Sequence, residues 1–378
     1  MSLCKEAVFT VILSVTRKAV SMSEVRFLPV ERMNSDGFRD LLAPFRFNEQ
    51  ENSNDLVAVK IHPGEDGNSS YIPASLVKLA VDALHLPERR TFLTDTTVLY
   101  GGRRMTAPDY VSLAHEHGFR MPELPPFIVA DGLVGTDEFA VELPSSCETK
   151  IARMAGTLAR IDTAVMISHF KGHLLAGFGG SIKHMGMGWA ARAGKLYQHS
   201  SVMPSVAADR CTMCGACISA CGSNAIEPLT RSMRIDERKC TGCGECIQRC
   251  PVGAIRVSWN QEAHIFVKRM TEYALAASMA VKIPVFINFL MNISPDCDCM
   301  KNEGPPMVNN IGVLASCDPV GIDQASLDLV TAADPLGDNA EAGHDKFLKR
   351  RPDRDGREQL CAAEKLGMGS RAYQLVMV

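Results

Sequence analysis

Short apolar runs alternate with stretches of helical periodicity along most of this chain. Residues 56–62 (LVAVKIH) form an apolar run closed by Pro63-Gly64, the pattern of a buried strand. Residues 91–95, 127–131, 163–168, 285–291, 311–316 and 373–378 read the same way. Between them, residues 73–86, 109–117, 150–160, 261–281 and 321–332 read as helices, and Pro108 stands at a good first helical position. This alternation predicts an α/β fold: a mostly parallel sheet with helices on both faces. Residues 334–357 are polar and rich in Gly, Asp and Arg, and predict a surface loop.

The alternation breaks at residues 207–259, where cysteine takes over. One run is Cys211-x-x-Cys214-x-x-Cys217-x-x-x-Cys221. The next, 29 residues on, is Cys240-x-x-Cys243-x-x-Cys246-x-x-x-Cys250-Pro251. Three thiolates spaced by two residues wrap one cubane cluster, and the fourth is carried by the turn to the other. The spacing therefore predicts two [4Fe–4S] clusters, one on Cys211, Cys214, Cys217 and Cys250, the other on Cys240, Cys243, Cys246 and Cys221. Zinc sites use two CxxC pairs and have no need of the third spacing, and disulfide frameworks belong to small secreted domains. Gly215, Ile218 and Ala225-Ile226 recur as Gly244, Ile247 and Ala254-Ile255, an internal two-fold repeat. Gly222 stands where the second run has Pro251, which predicts a looser turn. The stretch resembles a bacterial-type two-cluster ferredoxin. It would be a small α+β insert dividing one α/β domain into residues 22–206 and 260–378.

Composition narrows the classes further. The 378 residues are 46% hydrophobic and 22% charged, with a net charge near −3. That is globular, with no basic excess for nucleic acid, and no apolar run has the length of a membrane span. Eight thiolates committed to clusters point to a reducing cytoplasm. In residues 1–21 the basic residues follow the apolar stretch, the reverse of a signal peptide. Met22 is the expected start and the first 21 residues an extension.

Sites in parallel sheets lie beyond the C-terminal strand ends. Four predicted ends carry unusual chemistry. The first holds Lys60 and His62. The second holds Asp95, leading into Tyr100-Gly101-Gly102-Arg103-Arg104. The third holds His169, Lys171 and His173, then a glycine-rich turn with Lys183. Glycines let backbone N–H groups approach a carboxylate or phosphate, and lysine adds charge, so this set predicts an anionic small-molecule substrate. Solvated strand ends and a flexible turn are the competing readings. The fourth holds Asp296-Cys297-Asp298-Cys299, with Cys317-Asp318-Pro319 after the next strand. Thiols and carboxylates at period two suggest an additional metal ion or a redox-active pair; cysteines two apart would be strained as a disulfide, which favours the metal, and buried spare thiols are the alternative. Lys60, His62, Lys171, His173, Lys183 and Asp318 are the catalytic candidates.

Several segments together resemble the domain of unknown function 362 family, which often carries a ferredoxin insert. They include Tyr100-Gly101-Gly102-Arg103-Arg104, Ser168-His169-Phe170-Lys171-Gly172-His173, Gly180-Ser181-Ile182-Lys183-His184, and Asn292 through Cys299. Ala315 through Asp323 and Leu366 through Ser370 complete the set. The resemblance implies an iron–sulfur protein and leaves the reaction open. A more distant similarity, of fold only, is to the nickel-pincer lactate racemase superfamily. The leading expectation is an oxidoreductase passing single electrons between the clusters and the α/β domain, supplied by a redox partner protein. The alternatives are a non-catalytic electron carrier or adaptor, and an isomerase or racemase-like enzyme with structural clusters.

Overall fold

The computed structural model describes residues 22–48, 54–199, 203–257, 262–300, 304–337 and 341–378. The expected extension, residues 1–21, lies outside them. Eight strands make the central sheet: β1 (Ser23–Pro29), β2 (Val57–Lys60), β3 (Thr91–Asp95), β4 (Phe127–Val129), β5 (Thr163–His169), β6 (Phe286–Leu290), β7 (Gly312–Ser316) and β8 (Tyr373–Met377). Their order is β8-β1-β7-β6-β5-β2-β3-β4. Every strand runs the same way except β7, which is antiparallel to both β1 and β6.

The side chains alternate between two cores. Ala164 and Met166 of β5 face one, and Val165 and Ile167 face the other. The first core is roofed by helices Ser181–Gly186, Ala263–Ala280, Pro319–Ala332 and Arg357–Lys365, through residues such as Ile182, Phe266, Ile322 and Leu360. Helices Ser35–Leu42, Ala74–Leu84 and Ala107–Glu116 cover the second, through Leu41, Val77 and Tyr110. A strand buried on both faces reads as a continuous apolar run, which is why these strands are visible in the sequence.

Two segments differ from expectation. Residues 150–160 form no α-helix. Ile151–Ala155 is a strand paired with Glu138–Glu142, followed by a 3-10 turn at Gly156–Arg160. Ala152 and Met154 are buried while Ile151 is exposed, so the true period is two. Helix-favouring Ala, Arg and Met hide that period, and tertiary pairing overrides propensity. The expected loop 334–357 contains the helix Lys346–Arg350. Its buried Lys346 donates to the carbonyls of Thr331 (2.6 Å) and Ala333 (2.7 Å), closing the C-terminal end of Pro319–Ala332.

Residues 203–257 contribute no strand to the central sheet. They form two short antiparallel pairs, Ser205–Val206 with Ile255–Arg256 and Ile226–Pro228 with Met233–Ile235. Two one-turn helices, Ala216–Ala220 and Glu245–Arg249, are entered through Gly215 (φ 76°) and Gly244 (φ 72°), a left-handed conformation that favours glycine. A small apolar cluster of Cys217, Ile226, Met233, Cys246 and Ile255 holds these pieces together. Leu99, Leu196 and Val257 join with Ile247 in an apolar seam between this body and the sheet domain.

Candidate functional site

Because β2, β3, β5 and β6 are parallel neighbours, their C-terminal ends share one edge of the sheet. β2 delivers Lys60, fully buried, with Nζ 2.5 Å from Asp95 Oδ1 at the end of β3. Arg104 closes over this pair. It donates to Glu65 Oε2 (3.0 Å) and contacts His62 Nε2 (2.6 Å) and the Tyr100 hydroxyl (2.5 Å). Tyr110 donates its hydroxyl proton to Asp95. Burial pushes the Asp95 carboxyl up, but the cations Lys60 and Arg104 outweigh it and hold it far below the usual range. Burial lowers Lys60, with Asp95 opposing. His62 is held well below its usual value by burial and by Arg104. Its Nδ1 accepts from the Gly64 amide (3.2 Å), and its Nε2 lies against the Arg104 guanidinium, which disfavours a protonated, cationic ring.

β5 supplies the second half of the edge. Asp298 is completely buried and lies 2.9 Å from His169 Nδ1 and 2.7 Å from Lys171 Nζ. Burial raises the Asp298 carboxyl, yet His169 and Lys171 carry it well below the usual range. Lys171 is raised in return: burial lowers it, and Asp298 with Cys297 more than compensates. His169 Nε2 lies 2.6 Å from the Met291 carbonyl, so both its ring nitrogens face acceptors, the reverse of His62. Gly172 makes the contact between the Lys171–His173 hairpin strand and the Asp296–Cys299 loop possible. A Cβ there would sit 2.0 Å from the Pro295 carbonyl oxygen.

Lys183 enters from helix Ser181–Gly186, whose first amides (Ser181 and Ile182) donate to Asp323 at 2.7 and 2.9 Å. Its Nζ lies 3.7 Å from Cys297 Sγ. The neighbouring Cys299, then Lys183 and Lys171, hold the buried Cys297 thiol well below its usual value, while Cys297 and burial raise Cys299. Cys299 and Tyr100 line one groove that opens to the surface.

The structure thus brings Lys60, His62, Lys171, Lys183, Cys297, Asp298 and Cys299 to one edge. His173 is nearby but engaged: Nδ1 accepts from the Leu175 and Ala176 amides, and the ring stacks on Phe266. Asp296 pairs with Arg351 (2.5 Å). Asp318 is elsewhere. It follows the antiparallel β7, so it lies at the opposite edge. There it accepts from the Val320 and Gly321 amides at the start of Pro319–Ala332, from the Ser23 hydroxyl and from the Ser370 amide. Among the described residues no group of three or more His, Cys, Asp or Glu closes round a single metal ion, so the expected set Asp296, Cys297, Asp298 and Cys299 is not gathered as one. Glu65, Arg104, Tyr110 and His169 were not among the expected site residues. Arg104 and His169 lie inside quoted motifs; Glu65 and Tyr110 have no signal in the sequence.

The eight cysteines of the two runs all lie in the second body, as free thiols. Cys211, Cys214, Cys217 and Cys250 border a small pocket of about 20 Å³ with otherwise largely apolar walls. Burial raises the Cys217 thiol, with Cys214 and Cys250 adding to it. Cys246 is pushed up to about 12 by burial and by Cys243, Cys240, Cys221 and Cys217. Crowded thiolates repel, and a cationic iron core would offset that repulsion. The Ala225 and Ala254 amides donate to Cys221 Sγ (3.2 Å) and Cys250 Sγ (3.1 Å), at equivalent places in the repeat. The second run also meets the sheet domain. A Cβ on Gly244 would lie 3.2 Å from Arg192 and 3.8 Å from Leu99.

A family model described as "Domain of unknown function (DUF362)" matches residues 57–328. No curated protein matches the sequence. Among solved structures, the lactate racemase apoprotein from Thermoanaerobacterium thermosaccharolyticum is 12% identical with a TM-score of 0.42, covering 82% of this chain and 58% of that one. A Thermotoga maritima protein solved by a structural genomics consortium is 11% identical with a TM-score of 0.35, covering 90% of this chain and 59% of that one. The chain spans less than two thirds of either solved chain.

Proposed function

The chain belongs to the domain of unknown function 362 family, and we propose that it is an iron–sulfur oxidoreductase acting on a small anionic substrate. The observation that carries this reading is the junction of the two bodies: the second cysteine run packs on Leu99 and Arg192, and Leu99 leads directly to Tyr100 and the Lys60–Asp95–Arg104 network. Cys211, Cys214, Cys217 and Cys250 would hold one [4Fe–4S] cluster, and Cys240, Cys243, Cys246 and Cys221 the other. When bound, such clusters supply one electron at a time. The first quartet includes the exposed Cys214, which suits delivery by a redox partner protein in a reducing cytoplasm. No helix among the described residues is long and apolar enough to cross a membrane.

This chain's own residues do the rest. Lys60, Arg104, Lys171 and Lys183 surround the edge with positive charge and bind the anion. Neutral His62 and the burial-depressed Lys60 move a proton at the bound molecule. Burial of Asp95 and Asp298 beneath these cations keeps them oriented.

Anaerobic preparation should give about eight irons per chain. Crossed ligation makes a specific expectation. Cys250→Ser combined with Cys211→Ser loses no more iron than either change alone, whereas Cys250→Ser with Cys240→Ser loses both clusters. A folded, iron-free protein under these conditions would overturn the reading. A second reading, an isomerase with structural clusters, is favoured by Lys60 and His62 alone, since proton transfer beside an anion clamp needs no electrons. Turnover that persists with both clusters held oxidised would select it.

A further inference from the structure

We propose that Cys297 and Cys299 form a two-electron dithiol–disulfide centre at the end of the electron route, between the clusters and the substrate. This rests on the oxidoreductase reading and deepens it. The carboxylates that alternate with these cysteines are already committed, Asp296 to Arg351 and Asp298 to His169 and Lys171. What remains is a pair of buried or half-buried free thiols two residues apart in one loop, with Cys297 Sγ 3.7 Å from the Lys183 ammonium. Cys299 shares its groove with Tyr100, and the residue before Tyr100 is the Leu99 that packs near Gly244 of the second cysteine run. The pair is therefore linked by packed residues to the cluster body on one side and by an open groove to solvent on the other.

The chemistry balances without an outside reagent other than the electron donor. The Cys297–Cys299 S–S bond takes two electrons, delivered singly, and one proton. It breaks to a thiolate at Cys297, held by Lys183, and a thiol at Cys299. The reverse step re-forms the S–S bond and passes the two electrons and the Cys299 proton to a bound anionic two-electron acceptor, which is reduced. A disulfide between cysteines two apart is strained, and strained disulfides are the easily reduced, catalytic kind. A pair of this sort converts one-electron supply into two-electron delivery.

The test counts electrons and thiols on the full chain with its iron loaded. Anaerobic reductive titration of oxidised wild-type protein should consume about four electrons per chain, against about two for Cys297→Ser or Cys299→Ser. Alkylation after an acid quench should leave both cysteines unmodified in oxidised protein and modify both after reduction. Uptake of about two electrons by the wild type, with both thiols alkylated in every state, would overturn the proposal. So would stoichiometric zinc that shields both thiols until it is chelated. Iron content is measured on the same samples, and a phosphine reductant opens the disulfide without the clusters. Failure of the iron–sulfur reading is thereby separated from failure of the dithiol.

Discussion

Two edges of the central sheet each hold a buried carboxylate, and they satisfy it by different means. At the C-terminal edge of the parallel strands, Asp298 is held by Lys171 and His169, two side chains from β5 and the hairpin after it. At the opposite edge, Asp318 is held by the Val320, Gly321 and Ser370 amides and the Ser23 hydroxyl. Amides are fixed in place, so Asp318 is consumed in joining β1, helix Pro319–Ala332 and the chain before β8. Lys171 and His169 instead reach Asp298 as buried side chains of the parallel edge. The same residue type is thus met by backbone amides at one edge and by Lys and His side chains at the other.

The comparison is broken most directly at Asp298. Asp298→Asn leaves Lys171 and His169 buried without their counter-ion, and should cost about 3–5 kcal/mol in urea unfolding. A cost no larger than that of an N-cap would erase the distinction between the two edges. Asp298 is also held below its unfolded value, so its stabilisation is present above the usual carboxylate range and is lost as pH falls.

Lys195 tests the charged edge from the other sign. Burial brings it down to about 8, against the opposing pull of Asp131 and Asp95. From pH 8 to 10.5 the unfolded chain carries this proton and the folded one does not, so stability rises with pH through that window. Lys195→Met should remove that rise, up to about 3 kcal/mol between the two pH values, as seen in denaturation midpoints. Asp318→Ala should leave it untouched.

Asp318→Ala itself should cost about 1–2 kcal/mol, the range for losing a capping side chain, with iron content and Cys297 alkylation unchanged. A change in either would place Asp318 in communication with the site. The smallest effect is expected at Lys183. Lys183→Met removes one cation beside Cys297, and the pH midpoint of Cys297 alkylation should rise by about one unit. An unchanged midpoint would mean that Cys299 and Lys171, without Lys183, lower the thiol.

Much of the site was legible because strand ends mark it. Lys60, His62 and Lys171 follow apolar runs, and Lys183 follows a glycine-rich turn. Parallel neighbours bring those ends together. Asp318 looked equivalent, since it too follows an apolar run. Nothing within residues 311–316 records that β7 runs against its neighbours; the pairing with Arg26–Pro29 and Phe286–Leu290 decides that. Residues 150–160 were misread for a related reason, because a hairpin partner set the period there.

The cysteine-run repeat determined, by itself, the two one-turn helices entered through Gly215 and Gly244, because those distances are local and set by the chain. The alternating apolar runs likewise determined a sheet buried on both faces. Tertiary structure alone decided the ion pairs. Lys60 meets Asp95 from 35 residues away and Lys171 meets Asp298 from 127. Charge acts through space, and only the order and direction of the strands establish which charges become neighbours.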